Sequence, residues 1–219
     1  MIQLRSDLRE IALRDMTQDS AHDLAHLDRV WTTCQRIAAV EGGNARVLMA
    51  AAYLHDLVNL PKDAANRSQA SGMAAQAAAP HLERLGFATR DIQAAQHAIE
   101  AHSFSAGIEP KSVEAKILRD ADRLDAIGAI GIARAFGVSG QLGRPIYAPE
   151  DPFATQRDPD DSQYSLDHWP IKLLRLSEGL ITQTAQEIAQ GRLETMTRFL
   201  ADLAAEIDAP VPDHWVGKF

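Results

Sequence analysis

Leu4, Leu8, Ile11 and Ala12 recur at helical spacing, so the opening segment, about 2–16, reads as an amphipathic helix with its charges on the opposite face. A second helix is predicted from Ser20 to about Val40. Ser20 with Asp23 three positions on resembles a capping arrangement, Leu24, Leu27, Val30, Trp31, Cys34 and Ile37 form the apolar stripe, and Gly42-Gly43 marks the end. The next stretch, about 44–57, is apolar almost all round, as a central helix should be, and Asn59-Leu-Pro61 stops it. A polar loop over 62–72 precedes an alanine-rich helix over about 71–85, closed by Gly86. A further helix runs from Thr89 or Asp91 to Ala101.

Residues 112–136 keep helical periodicity through Val113, Ile117, Leu118, Ala121, Leu124 and Ile127, with Gly128 and Gly131 as points where a neighbouring helix can approach closely. Between 137 and 166 the periodicity vanishes among glycines, prolines and acids, which predicts a long irregular excursion of the kind that serves as a lid or an interaction segment. Asp167 is expected to cap a helix reaching about 190, with Pro170 in its first turn, and a last helix to cover 193–207. The tail PVPDHWVGKF reads as an extended arm. No strand-period segment and no internal repeat appear, so the expected architecture is all-α.

Composition narrows the function. At 219 residues and 46% hydrophobic, the chain is long enough for one buried core, and 1–219 is read as a single domain. A net charge of -8 disfavours sequence-independent binding to nucleic acid, which needs a broad positive surface. No signal pattern and no apolar run of membrane-spanning length occur, so a soluble, cytoplasmic protein with no membrane partner is expected. Cys34 is the single cysteine and reads as a small buried hydrophobe.

Against this background, His55-Asp56 inside an apolar segment is conspicuous. A buried carboxylate is costly unless paired or bound to a cation, so either a metal ion or a solvated helix end must account for it. His22 and His26, four apart, share one helical face, and Asp120, Asp122 and Asp125 punctuate the apolar 117–132 stretch.

In chain order, His26, His55-Asp56 and Asp122 resemble the H…HD…D signature of the HD-domain metal-dependent phosphohydrolases. The strings HDLAHLDRVW, AAYLHDLV, HAIEAHSFSAG and KILRDADRLDAIGAIGIARAF are similar to those of the small stand-alone HD hydrolases of the YedJ type, and the likeness continues through EDPFATQRDPDDS and DHWPIKLLRL, covering about 20–205. The resemblance implies a helical HD-domain fold and a divalent ion (Mn²⁺ or Mg²⁺ first, with Co²⁺, Fe²⁺, Zn²⁺ or Ni²⁺ as alternatives) held by His26, His55, Asp56 and Asp122. Asp56 and Asp122 would also orient the attacking water. His22 would lie behind the ligands, cap its helix or face solvent, while Asp125 and Arg123 would support ligands from nearby. His97 and His102 are the candidates for a second metal or a phosphate contact, and their five-residue spacing requires His102 to lie past the helix end if they converge.

Lys62, Arg67 and Lys172, with Arg123, are the candidate anion contacts, and His168 is a further candidate site residue. Trp31, Tyr53 and Phe104 could stack a base, although helical spacing assigns Trp31 and Tyr53 to the core. The implied partner is a small phosphate compound, a nucleotide, cleaved as a monoester or at a pyrophosphate linkage. The alternatives are a phosphodiesterase with two metals, a di-iron oxygenase and a non-catalytic nucleotide-binding module. No GYP string follows the metal site, which weakens a cyclic-dinucleotide reading.

Overall fold

The computed structural model describes residues 1–16, 23–60, 64, 66–213 and 215. Among the described residues every regular element is helical, as the sequence pattern predicts. Packing groups them into two compact units, Met1–Asp122 and Arg123–Phe219.

In the first unit, α3 (Ala45–Leu54) is the axis. Asn44 caps it by accepting from the Arg46 and Val47 amides, and every residue from Val47 to Leu54 is buried. Around it lie α1 (Ile2–Asp15), α2 (Leu24–Glu41), α4 (Ala70–Arg84) and α5 (Thr89–His102). Asp23, not Ser20, is the N-cap of α2, its side chain accepting from the His26 amide at 2.7 Å; Ser20 lies outside the described residues. Cys34 is fully buried on α2, and burial pushes its thiol up, so it is an inert core residue. The α4 and α5 helices meet through buried alanines, Ala74, Ala75 and Ala78 on one and Ala95 and Ala98 on the other, side chains small enough for close approach.

An Asp28 clasp ties α1, α2 and α3 together. Tyr53 Oη donates to Asp28 Oδ1 at 2.6 Å, Arg5 Nη2 donates to the same oxygen at 2.9 Å, and Arg9 pairs with the other oxygen. Tyr53 itself is fully buried and Trp31 nearly so, which makes both core residues.

Two predicted boundaries move. The helix expected over 44–57 ends at Leu54, so His55 and Asp56 stand at a helix end and not within one. The segment expected as one helix over 112–136 is two, α6 (Val113–Asp125) and α7 (Gly128–Gln141). The break is set by glycine: Gly128 has φ +80°, and a Cβ on Gly131 would lie 2.3 Å from the Ala126 carbonyl oxygen. Gly131 serves the turn between two helices, whereas at Gly128 the Arg192 side chain of the last helix comes within 3.0 Å of where a Cβ would stand, the close approach of a neighbouring helix that the sequence predicts.

In the second unit, α7 packs against α9 (Gln183–Glu206), with Trp169 stacked on Phe199 and Phe136 tilted against both. The predicted helices over 167–190 and 193–207 are replaced by α8 (His168–Ile171), a 3-10 run over Leu173–Gly179 and the single α9. Lys172 leaves helical backbone at φ −134°, and Thr182 starts α9 by accepting from the Ala185 amide. Gly191 does not end α9. The roughly 1 kcal/mol penalty of a mid-helix glycine is offset by burial of Ala189, Leu193, Met196 and Leu200 along the same helix.

The irregular excursion starts after Gln141 and is built on acids. Asp151 accepts from the Thr155 amide and hydroxyl and from the Gln156 amide, all at 2.8 Å. Asp167, fully buried, does not cap α8. It pairs with both Nη groups of Arg157 and accepts from the Asp160 amide at 2.7 Å. At the tail, Trp215 is buried edge-on against Phe153, so that residue is anchored instead of extended into solvent.

Candidate metal centre

Three helices of the first unit deliver four side chains to one point. His26, at the third position of α2, is fully buried; His55 and Asp56 follow α3; Asp122 comes from the last turn of α6. His26 Nε2 and His55 Nε2 are 3.4 Å apart. Asp56 Oδ2 lies 3.6 Å from His26 Nε2 and 3.2 Å from His55 Nε2, and Asp122 Oδ1 lies 3.5 Å and 3.8 Å from the same two nitrogens.

The imidazoles are held by the helix ends that carry them. His55 Nδ1 donates to the Ala52 carbonyl at 3.0 Å and His102 Nδ1 donates to the Ile99 carbonyl at 2.6 Å, each three residues back. Both carbonyls belong to the last turn of their helix, where intrahelical amide donors run out, so each histidine closes its own helix. Because a carbonyl only accepts, Nδ1 carries the proton, and in the neutral ring Nε2 presents a lone pair to the cluster.

Those lone pairs face carboxylate oxygens. Acceptor against acceptor is repulsive unless a proton or a cation lies between them. Burial pushes His55 down, but Asp56, by charge and hydrogen bond, and then Asp122 outweigh it, raising the imidazolium to about 9. For Asp56, burial pushes the carboxyl up, and His55, His102 and His26 more than reverse this, holding it well below the usual carboxylate range. The protein alone therefore draws positive charge into this cluster.

A divalent ion meets that demand. His26, His55 and Asp56 offer ligand atoms all within 4.8 Å of one another. Donors about 2.0–2.2 Å from a shared ion, at tetrahedral or octahedral angles, stand roughly 3–3.6 Å apart, close to the observed separations. Two imidazoles and two carboxylates make a nitrogen and oxygen set suited to hard or borderline divalent ions. The residues present fit the group.

The sequence-predicted pairing of His97 with His102 is not what the structure builds. His102 ends α5 and turns inward, its ring 4.8 Å from that of His55 and its Nε2 4.0 Å from Asp56 Oδ1. Burial, then the proximity of His55, pushes its imidazole down. His97 Nε2 instead accepts from the Lys111 amide at 3.0 Å. Convergence of His102 on Asp56 was readable in principle, since both His55 and His102 terminate apolar helices.

Among the remaining candidates, His22 and Lys62 lie outside the described residues. Arg67, in a 3-10 turn (Arg67–Gln69), bonds the Leu60 carbonyl through Nη1. Arg123 Nη1 donates to the Gly179 carbonyl at 2.7 Å, and Asp125, buried, accepts from Arg134 Nη1 at 2.7 Å, so both are engaged in tying the second unit together. Lys172 is exposed at the foot of α8, and His168 Nδ1 lies 2.6 Å from Asp161 Oδ2.

The family profile described as HD domain matches residues 23–127. The YpgQ protein of Bacillus subtilis (strain 168) is 33% identical over 194 residues, spanning 87% of this chain and 86% of the relative. The crystal structure of Bacillus subtilis YpgQ in complex with ADP superposes with a TM-score of 0.70 at 31% identity, covering 94% of this chain and 96% of that one. That of an HD-superfamily hydrolase from Bacillus thuringiensis gives 0.71 at 30% identity, covering 95% and 96%. With its histidine–aspartate cluster inside the matched segment, the chain belongs to the HD-domain superfamily.

Proposed function

We propose that this chain is a divalent-metal-dependent phosphohydrolase acting on nucleotides or related phosphate esters, at a monoester or pyrophosphate linkage. The observation that carries the reading is the approach of two carboxylates, Asp56 and Asp122, to the same two imidazole nitrogens. Similarity to YpgQ, which has been crystallised with ADP, supports a nucleotide ligand.

His26, His55, Asp56 and Asp122 would hold the ion. Bound there, it supplies Lewis acidity, polarising a phosphoryl oxygen and acidifying water. Asp122 is the more exposed of the two carboxylates, 31% against 15% for Asp56, and of the two it would be the one to orient the attacking water and take its proton. As water oxygen bonds to phosphorus, the bond from phosphorus to the leaving oxygen breaks in line. Arg67 keeps donors beyond the one given to Leu60 and, with Lys62, would neutralise phosphate charge. A position for His102 beside Asp56 favours a binuclear form of the same reading, and the metal-to-protein ratio decides between one ion and two. The lone Cys34 fits action in a reducing cytoplasm.

The test is release of phosphate or pyrophosphate from a panel of nucleotides and simple phosphoesters with Mn²⁺, Mg²⁺, Co²⁺ or chelator. Metal-dependent turnover is expected, lost in Asp56→Ala run alongside; absence of turnover with every metal rejects the reading.

A further inference from the structure

Arg5, Arg9, Arg134 and Arg157 are each matched to a carboxylate. Arg119, in the middle of α6, is not. It stands half-buried between Leu118 and Asp120, both fully buried. Its Nε is shielded from solvent without a hydrogen-bond acceptor, and no carboxylate among the described residues pairs with its guanidinium. Arg157 also has a shielded, unmatched Nε, but both of its Nη groups are taken by Asp167.

Three residues earlier on the same helix is Lys116, also half-buried and also without a carboxylate partner among the described residues. Positions three apart share a helical face, with Cβ atoms roughly 5–6 Å from one another. Two like charges so placed repel, and partial burial leaves less water to screen them. The acids of α6 do not relieve them. Glu114 accepts from the Asn44 amide, Asp120 lies about 100° round the helix from Arg119, and Asp122 Oδ1 faces the nitrogens of His26 and His55. A guanidinium fork with an ammonium beside it offers three donors and two positive charges. That set matches the three terminal oxygens of a phosphate group better than the two of a carboxylate.

We propose that Lys116 and Arg119 form a binding site for a phosphate-bearing anion, made of no ligand of the metal cluster and requiring no metal. The occupant is recognised by its phosphate group, whether free or carried by a nucleotide. The site is independent of the phosphohydrolase reading, which stands if this one fails.

Inorganic pyrophosphate, titrated calorimetrically into the metal-stripped full chain with chelator present, tests it. Saturable binding to wild type is expected. Arg119→Gln and Lys116→Gln are each expected to weaken it by about 10-fold, the loss of one charge-assisted hydrogen bond. Arg119→Lys, which keeps the charge and loses the fork, should fall between. Arg175→Gln, an exposed cation of the second unit, should leave binding unchanged. ADP in place of pyrophosphate separates the two sources: the tighter of the two ligands, lost in the same variants, is the one the site takes. No saturable binding to wild type, or binding unaltered in Lys116→Gln and Arg119→Gln, overturns the proposal. Equal weakening by Arg175→Gln also overturns it, since diffuse charge then accounts for the binding. If Arg119→Gln does not fold, Lys116→Gln decides alone.

Discussion

Two acids in this chain, Asp167 fully buried and Asp56 largely shielded, have met opposite solutions. Asp167, in the second unit, is surrounded by donors: both Nη groups of Arg157 and the Asp160 amide converge on its oxygens. Asp56, in the first, is surrounded by imidazole nitrogens whose protons point the other way, into the Ala52 and Ile99 carbonyls. One carboxylate is satisfied by the protein and holds an irregular stretch in shape. The other completes its environment only with a proton or a cation, which makes it a site. Burial of an acid alone does not distinguish the two; the direction in which its neighbours' hydrogens point does.

The contrast predicts different failures when each acid's partners are changed. Asp167→Ala leaves Arg157 without its buried partner and should cost roughly 3 kcal/mol of stability, read by urea unfolding. A loss below ~1 kcal/mol would mean the pair holds nothing in place. His102→Asn keeps a donor for the Ile99 carbonyl and removes Nε2 from beside Asp56. It should lower Mn²⁺ affinity by about 10- to 100-fold with little change in the unfolding midpoint of the metal-free protein. Unaltered affinity would exclude His102 from the centre.

Asp28 gives the smallest effect. Burial pushes its carboxyl up, but the hydrogen bonds from Arg9, Tyr53 and Arg5 outweigh this and hold it below its ordinary value. A lowered folded pKa means its contribution is present above the unfolded pKa, about 3.9, and lost as pH falls through the folded value. Because the arginines are partly exposed, the contribution is expected to stay under about 1 kcal/mol. In chemical unfolding between about pH 5 and 2, Asp28→Asn should therefore show a shallower acid loss than wild type; parallel curves would remove Asp28 as a source of acid sensitivity.

Much of this was legible in the residues. The stripe of α1, the apolar surround of α3 and the alanines of α4 follow from periodicity, and His26, His55, Asp56 and Asp122 carry the HD-type pattern from which their convergence is expected. What periodicity could not supply was the end of α3 at Leu54, because Leu57 and Val58 continue the apolar run past the true boundary. Nor could it separate α6 from α7, where a glycine at positive φ turns the chain without interrupting the hydrophobic spacing. Gly191 misled in the other direction, a local breaker overridden by burial along α9. The inward turn of His102 and the outward course of His97 depend on the exact end of α5, which spacing places only to within a residue or two.

The most direct test of the cluster as a metal centre is equilibrium binding of Mn²⁺ to the metal-stripped full chain near pH 7.5, with Asp56→Ala measured in parallel and helical content followed by circular dichroism. A saturable site in wild type, lost in a variant whose helices are intact, is the predicted result. Binding by Asp56→Ala equal to that of wild type, or no saturable site in wild type, would contradict it.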